Sequence, residues 1–152
     1  MSLSRKSGSF TRSAELAWSG DVVRGSGSVT SGANAFDLPV RFPSLRGEPA
    51  GTTSPEELLA AAHAACFGIG LRSVIARRGA SASRVTVRAT ITAEKGAEGI
   101  RIRRSHLDVV IEGLTGLEER QLDEIGATVK RECTISQAIR GSVAITTHIR
   151  TS

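Results

Sequence analysis

The chain has 152 residues, enough for one domain whose core needs no disulfide or metal to support it. Its apolar and charged fractions, 39% and 23%, are typical of a globular protein. The stretch MSLSRKSGSF predicts no secretory signal because no apolar segment follows its basic residue, and no apolar run approaches the roughly 20 residues of a membrane-spanning helix. We therefore expect a cytoplasmic protein with a single domain over 1–152, in which residues 1–8 are disordered or derive from cloning.

The net charge of +5 raises nucleic-acid binding as a function class, because basic proteins attract phosphate backbones. Aromatic residues make up only 3% of the chain and tyrosine is absent, so a stacking platform for single strands is missing. The arginines are spread along the chain, and the densest group, RIRRSH at 101–106, lies in an alternating pattern typical of a solvated strand face. We expect neither a nucleic-acid nor a membrane partner.

The first elements are short strands followed by a long helix. Apolar alternations punctuated by Gly and Ser over residues 10–42 predict strands joined by hairpin turns. Ser54 is the predicted N-cap of the helix, Pro55 its first residue and Glu57 the second member of a capping box. Gly79, directly after two arginines, marks the predicted end of this helix.

The second half of the chain alternates between strand and helix patterns. Gly68 and Gly70 weaken the middle of the first helix and predict a kink or a close helix contact there. RVTVRATIT and IRIRRSHLDVVIEG predict two strands, TGLEERQLDEIGATVKREC an amphipathic helix, TISQAIR a short helical turn and SVAITTHIR a last strand. This order indicates an α+β fold rather than a repeating parallel βαβ fold.

The two cysteines are the candidates for chemistry. Cys66 lies inside an alanine-rich helix, where a cysteine is by default a small hydrophobic residue. His63, three residues earlier, falls on the same helical face and can hold a neighbouring thiol as the reactive thiolate. Cys133, in KRECTISQ, can serve as the resolving partner of an oxidised cysteine. In a reducing cytoplasm both thiols are expected to be free, catalytic or redox-active rather than structural.

His63 keeps two interpretations, as support for the thiolate and as a packed histidine whose ring is satisfied by backbone groups. His63, Cys66 and Cys133 could also supply three zinc ligands, but a zinc site needs three or four, and no C-x-x-C or H-x-x-x-H spacing accompanies them. We predict no metal and no cofactor.

SPEELLAAAHAACFGIGL at 54–71, followed by KRECTISQA at 130–138, resembles the OsmC/Ohr family of thiol-dependent peroxidases, in its OsmC branch. The resemblance covers the whole chain in element order. It implies antiparallel sheets around a central helix in an intertwined homodimer, and an enzyme that reduces organic hydroperoxides to alcohols. Cys66 would be the peroxidatic cysteine, passing through a sulfenic acid to a disulfide with Cys133. A dithiol, of the lipoyl type in this family, is the implied reductant.

The resemblance also carries over an arginine and a glutamate. The glutamate maps onto Glu56, and the arginine of the OsmC branch maps onto Arg41 in PVRFPS. Arg24, in GDVVRGSG, is the reserve candidate because the Ohr branch places its arginine earlier. Thr134 stands where the family has proline, a departure that bears on the turn presenting Cys133.

Helix geometry constrains the role of Glu56. It lies ten residues before Cys66 on the same predicted helix, a separation of roughly 15 Å along the axis. Glu56 can therefore act at Cys66 only from an antiparallel second copy, which the alanines would allow to approach closely. Its alternative role is to favour the helix N-terminus by charge. Arg41 is expected to stabilise the thiolate and the departing alkoxide, with Glu56 orienting it.

Phe67 and Ile69, with His63, are predicted to line an apolar pocket that favours organic peroxides. The competing function is a small module that binds an apolar ligand or senses redox state without peroxidase turnover. In that interpretation the same pocket holds the ligand, and the cysteines are incidental or sensory.

Overall fold

The computed structural model describes residues 7–42 and 51–152. Most of the expectation for residues 1–8 therefore lies outside the described residues; Ser7 and Gly8 are exposed and outside any strand or helix. The chain forms two compact units, Met1–Ser54 and Pro55–Ser152. The assignment of both to a single domain stays a prediction.

The first unit is a three-stranded antiparallel sheet, in the order β1-β2-β3. One turn shows why the sequence folds back here: Asp21 Oδ1 accepts hydrogen bonds from the backbone amides of Val23 and Arg24, at 2.9 and 2.7 Å. A Cβ at Gly25 would lie 2.3 Å from the Asp21 carbonyl oxygen, so this position requires glycine. The strands are Ala14–Ser19 (β1), Ser26–Ser31 (β2) and Asp37–Val40 (β3).

The second unit is built on helix α1, Pro55–Arg77, which begins at the predicted proline. Gly79, with φ of 71°, follows its end as predicted. By length and composition alone α1 could cross a membrane, which corrects the expectation that no such segment exists; its many alanines raise its hydropathy without forming a bulky apolar surface. One face of α1 packs in the core, as in the core helix of a globular protein.

A second three-stranded sheet, in the order β4-β5-β6, covers α1. β4 and β5 pair antiparallel, whereas β6 runs parallel to β5. This pairing departs from the antiparallel expectation because a helical crossover returns the chain to the start of β5 before β6 begins. The elements are β4 (Arg84–Gly96), β5 (Gly99–Glu112), a 3-10 turn (Glu119–Gln121), α2 (Leu122–Glu132), α3 (Thr134–Ile139) and β6 (Ala144–Thr151).

The core of this unit lies between the sheet, α1 and α2. The predicted inward face of β5 is confirmed, with Leu107, Val109 and Ile111 buried. A Cβ at Gly70 would lie 3.3 Å from Val129 on α2, so this glycine permits the close helix contact that the sequence predicted. The remaining buried apolar side chains of the cluster are Phe67, Leu71, Val74, Ile75, Leu122, Ile125 and Val129.

A polar network crosses this core at His63, whose side chain is fully buried. Its Nδ1 lies 2.7 Å from Ser105 Oγ on β5, and its Nε2 lies 2.7 Å from Ser136 Oγ on α3. Each hydroxyl can donate or accept, so a neutral ring satisfies both contacts. Burial lowers the pKa of His63 below its ordinary value of 6.5. The histidine thus ties three elements together in its uncharged form.

We predict that this histidine makes stability depend on pH. Because the pKa of His63 is lower in the folded chain, the unfolded chain binds more protons just below pH 6.5, and folding free energy is lost as pH falls through the folded pKa. Urea unfolding at several pH values between 5 and 7.5 measures this slope. His63→Asn should flatten it, and should cost about 2–4 kcal/mol at pH 7.5 by leaving buried serine hydroxyls unpaired.

The exposed His148 supplies the control, since His148→Asn removes an imidazole without touching the core. This variant should retain the loss of stability that is assigned to His63, because the His63 ring and its two serine partners are unchanged. Equal slopes in the parent and the His63 variant would show that His63 titrates alike in both states.

Candidate functional site

The two cysteines lie at the junction of α1, α2 and α3. Cys66 is on α1 and partly buried; Cys133 is almost fully buried, and both are free thiols. Cys133 ends α2 and caps α3: its backbone amide donates to the Val129 carbonyl at 2.8 Å, and its Sγ accepts from the Ser136 amide at 3.5 Å. Its extended backbone, with φ of −65° and ψ of 118°, separates the two helices. This break turns the first residues of α3 toward Cys66.

The surroundings of Cys66 favour its thiolate. Burial alone would raise the pKa of Cys66, but hydrogen bonds from the Thr134 hydroxyl, the Ile135 amide, the Cys133 thiol and the Thr134 amide outweigh it and lower the pKa. The Thr134 Oγ1 atom lies 3.5 Å from Cys66 Sγ. All of these donors come from one short segment, Cys133–Ile135, at the start of α3.

Cys133 is shifted the other way. Burial raises its pKa, and the adjacent Cys66 raises it further, while hydrogen bonds from Ser136 lower it only in part. These opposite shifts favour ionisation of Cys66 before Cys133, which then keeps its proton as a donor to the Cys66 sulfur. A pair of this kind can supply one nucleophilic thiolate and a second thiol that reacts after it.

The network around His63 reaches this site through Ser136. The serine hydroxyl contacts the His63 ring and the serine amide contacts the Cys133 sulfur. His63 is therefore packed and fully hydrogen-bonded, with serine hydroxyls rather than backbone groups as partners. Ser136 lies between His63 and Cys133 and contacts both.

The charged candidates lie on both units. Glu56 is in the first turn of α1, and because α1 is continuous from Pro55 to Arg77 the axial separation from Cys66 remains roughly 15 Å. Its Oε2 is buried and has no hydrogen-bond partner among the described residues. Arg41 follows β3 and is exposed, with its backbone amide donating to the Thr53 carbonyl at 3.3 Å. Arg24, also exposed, lies in the turn between β1 and β2.

The predicted apolar lining residues differ in exposure. Phe67 is fully buried in the core, whereas Ile69 is 73% exposed. Ile69 faces an open groove of about 460 Å³ between α1 and the start of β4. The other residues lining it are Ala64, Ala65, Gly68, Arg72, Ser83, Arg84, Val85 and Val87.

Sequence reasoning missed Ser105, Ser136 and the direct role of Thr134. Ser105 had a detectable signal, because it shares the alternating face of Leu107 and a polar residue on a buried face needs a partner. Ser136 is three residues after Cys133, the spacing of an N-cap acceptor and its amide donor. The contact of Thr134 with a residue 68 positions away had no sequence signal.

Comparisons with known proteins agree on one family. The sequence pattern of the family described as OsmC-like protein matches residues 47–148. Peroxiredoxin OsmC of Escherichia coli strain K12 is 27% identical over 128 residues, covering 84% of this chain and 89% of the relative.

Solved structures share the fold. The crystal structure of an organic hydroperoxide resistance protein OsmC from Legionella pneumophila is 27% identical, with a TM-score of 0.76 and coverage of 94% of this chain and 98% of that one. An organic hydroperoxide resistance protein from Elizabethkingia anophelis superimposes with a TM-score of 0.78 at 23% identity, covering 97% and 100% of the two chains. The matched range 47–148 of this chain includes Glu56, Cys66 and Cys133 and begins after Arg41. On this match, the chain belongs to the OsmC-like protein family.

Proposed function

We propose that this chain is a cysteine-based peroxidase that reduces organic hydroperoxides to alcohols, with Cys66 as the peroxidatic and Cys133 as the resolving cysteine. The observation that carries the proposal is the pair of thiols with opposite pKa shifts, lowered for Cys66 and raised for Cys133. The names of the relatives support the same activity, since one is a peroxiredoxin and another an organic hydroperoxide resistance protein.

In the first step the Cys66 thiolate attacks the distal oxygen of the hydroperoxide. The sulfur–oxygen bond forms as the oxygen–oxygen bond breaks, and the alkoxide leaves and takes up a proton to become the alcohol. Two electrons pass from sulfur to the peroxide, and Cys66 becomes a sulfenic acid. Lowering the pKa of Cys66 raises the fraction of thiolate available at neutral pH.

In the second step Cys133 attacks the sulfenic sulfur, a disulfide forms and water is released. The charge of Cys66 is one of the causes that raise the pKa of Cys133. Oxidation of Cys66 to a neutral sulfenic acid removes that charge, so Cys133 ionises more readily at the moment when its thiolate is needed. A dithiol reductant of the lipoyl type then restores both thiols by exchange.

Arg41 is the proposed cation for the thiolate and the departing alkoxide, because a guanidinium stays charged. Glu56 Oε2 is buried without a hydrogen-bond partner among residues 7–42 and 51–152, and because a buried carboxylate without a donor is costly, this atom favours a cationic partner. The length of α1 means that Glu56 would serve Cys66 of a second copy, in a homodimer. The exposed face of α1, with Ala61, Ala65 and Ile69, has the small side chains that close helix packing requires.

The proposed substrate pocket uses the exposed Ile69, whereas Phe67 and His63, which are fully buried, would support its wall from the core. The reducing environment that the cycle requires fits the cytoplasm. An apolar-ligand module or redox sensor would use the same surfaces without turnover. Titration of the reduced protein with an organic hydroperoxide separates these alternatives.

We expect one equivalent of cumene hydroperoxide to consume both thiols of the anaerobically reduced protein. Free thiols are counted with a chromogenic disulfide, and the oxidised chain should run faster on a gel without reductant. Cys66→Ser should lose peroxide consumption, because a serine hydroxyl is a far weaker nucleophile. Survival of both thiols in excess peroxide would refute the enzyme and leave the ligand-binding module.

Cys133→Ser should complete one turnover and then stop. Without the resolving thiol, the Cys66 sulfenic acid persists and excess peroxide converts it to sulfinic acid, a gain that intact mass spectrometry detects. Sustained turnover of this variant with a dithiol would show that Cys133 does not resolve the intermediate.

Arg41→Ala should lower kcat/KM for cumene hydroperoxide by about 10²–10³, the loss typical of removing one donor that stabilises developing charge. Arg24→Ala is the matched control, an exposed arginine on the same unit. If the loss follows Arg24 instead, the cation is Arg24. If neither substitution matters, the donors at Cys133–Ile135 act without an arginine.

A further inference from the structure

The hydroxyl of Thr134 is the side-chain oxygen that contacts the candidate nucleophile. Its Oγ1 lies 3.5 Å from Cys66 Sγ, within the range of a hydrogen bond to sulfur. Among the residues that the structure describes, Cys66 is the hydrogen-bond partner of the Thr134 hydroxyl. The residue is the first of α3 and is exposed, so its position does not follow from core packing.

Its position follows from the anchoring of α3. The Ser136 amide donates to the Cys133 sulfur, which fixes the first turn of the helix. The Ser136 hydroxyl is held at 2.7 Å by the buried His63 ring, and His63 is itself on α1 three residues before Cys66. Hydrogen bonds through Ser136 and His63 therefore connect the start of α3 to α1. The backbone held in this way places Thr134 beside the Cys66 sulfur.

We propose that Thr134 is a further catalytic residue, whose hydroxyl donates a hydrogen bond to the Cys66 thiolate. The inference deepens the proposed peroxidase function, and a catalytic role for Thr134 rests on that function. The donor role itself concerns the thiol and can be measured without any peroxide.

The direction of the hydrogen bond depends on the state of the sulfur. In the thiol, either atom can donate, so the contact is weak and exchangeable. In the thiolate, sulfur can only accept, and the threonine hydroxyl rotates to donate. A hydrogen bond to an ionised acceptor is roughly twice as strong as a neutral one. Thr134 therefore favours ionisation of Cys66 by the difference in free energy between its hydrogen bond to the thiolate and its hydrogen bond to the thiol.

Comparison of the donors supports this assignment. Among the groups that lower the pKa of Cys66, the Thr134 hydroxyl contributes more than the Ile135 amide, the Cys133 thiol and the Thr134 amide. The two amides remain in any side-chain variant. A substitution at 134 that removes the hydroxyl therefore tests this donor while both backbone amides are still available.

The test is the pH dependence of Cys66 alkylation by iodoacetamide, with the modified peptide quantified by mass spectrometry so that Cys133 does not contribute. Thr134→Val keeps the shape of the side chain and removes the hydroxyl, whereas Thr134→Ser keeps the hydroxyl. At a pH below the parent midpoint, Thr134→Val should react about three- to tenfold more slowly, the loss expected for one hydrogen bond. Thr134→Ser should follow the parent profile.

A second readout separates a donor from a merely structural residue. The nucleophilicity of a thiolate falls as its pKa falls. Well above both midpoints, Thr134→Val should therefore alkylate at least as fast as the parent, so that the two pH profiles cross. A misplaced or buried sulfur would instead react more slowly at every pH.

The inference is overturned if Thr134→Val leaves the midpoint unchanged, or if Thr134→Ser moves it as far. Should the valine variant fold poorly by circular dichroism, Thr134→Ala provides the same measurement with a smaller side chain. Peroxide consumption is assayed separately on the same proteins. A shifted alkylation midpoint in a protein that consumes no peroxide would overturn the proposed peroxidase and retain Thr134 as the donor.

Discussion

The arrangement of the site depends on the buried hydrogen bonds of His63. Its ring connects Ser105 on β5 with Ser136 on α3, at 2.7 Å on each side, and lies on the same helix as Cys66. A six-residue helix such as α3 is too short to hold its position by its own hydrogen bonds. The imidazole holds that helix against α1, and with it the donors that face the Cys66 sulfur. Its low pKa keeps this connection neutral under ordinary conditions.

Neutral hydrogen-bond donors favour ionisation of Cys66. Burial opposes ionisation of Cys66, and the hydroxyl, amide and thiol groups of Cys133–Ile135 reverse that effect. These groups are placed before the reaction begins and need no rearrangement when the sulfur becomes charged, which is the property that makes preorganised donors effective. In the proposed enzyme, an arginine would further stabilise a Cys66 thiolate that the hydrogen bonds from Cys133–Ile135 already favour.

The sequence predicted those features that depend on local periodicity. The start of α1 at Pro55 followed from capping chemistry, and the inward face of β5 from the alternation of Leu107, Val109 and Ile111. The parallel pairing of β6 did not follow, because strand direction depends on the path of the crossover. Nor did the partners of His63, which are 42 and 73 residues away along the chain. For the candidate site, sequence pattern and resemblance selected both cysteines. The pattern could not reveal that Thr134 adds a donor at the position where the resemblance implies proline, which has no amide proton.

Cys133 has two roles that cannot both be kept throughout the proposed cycle. Its sulfur is the acceptor that closes the first turn of α3, and it is also the atom that would bond to Cys66. Forming the proposed disulfide would move the Cys133 sulfur toward Cys66, and the first turn of α3 would then lose its cap. The order of α3 would in that case follow the redox state of the two cysteines, and a reductant would approach a loosened segment.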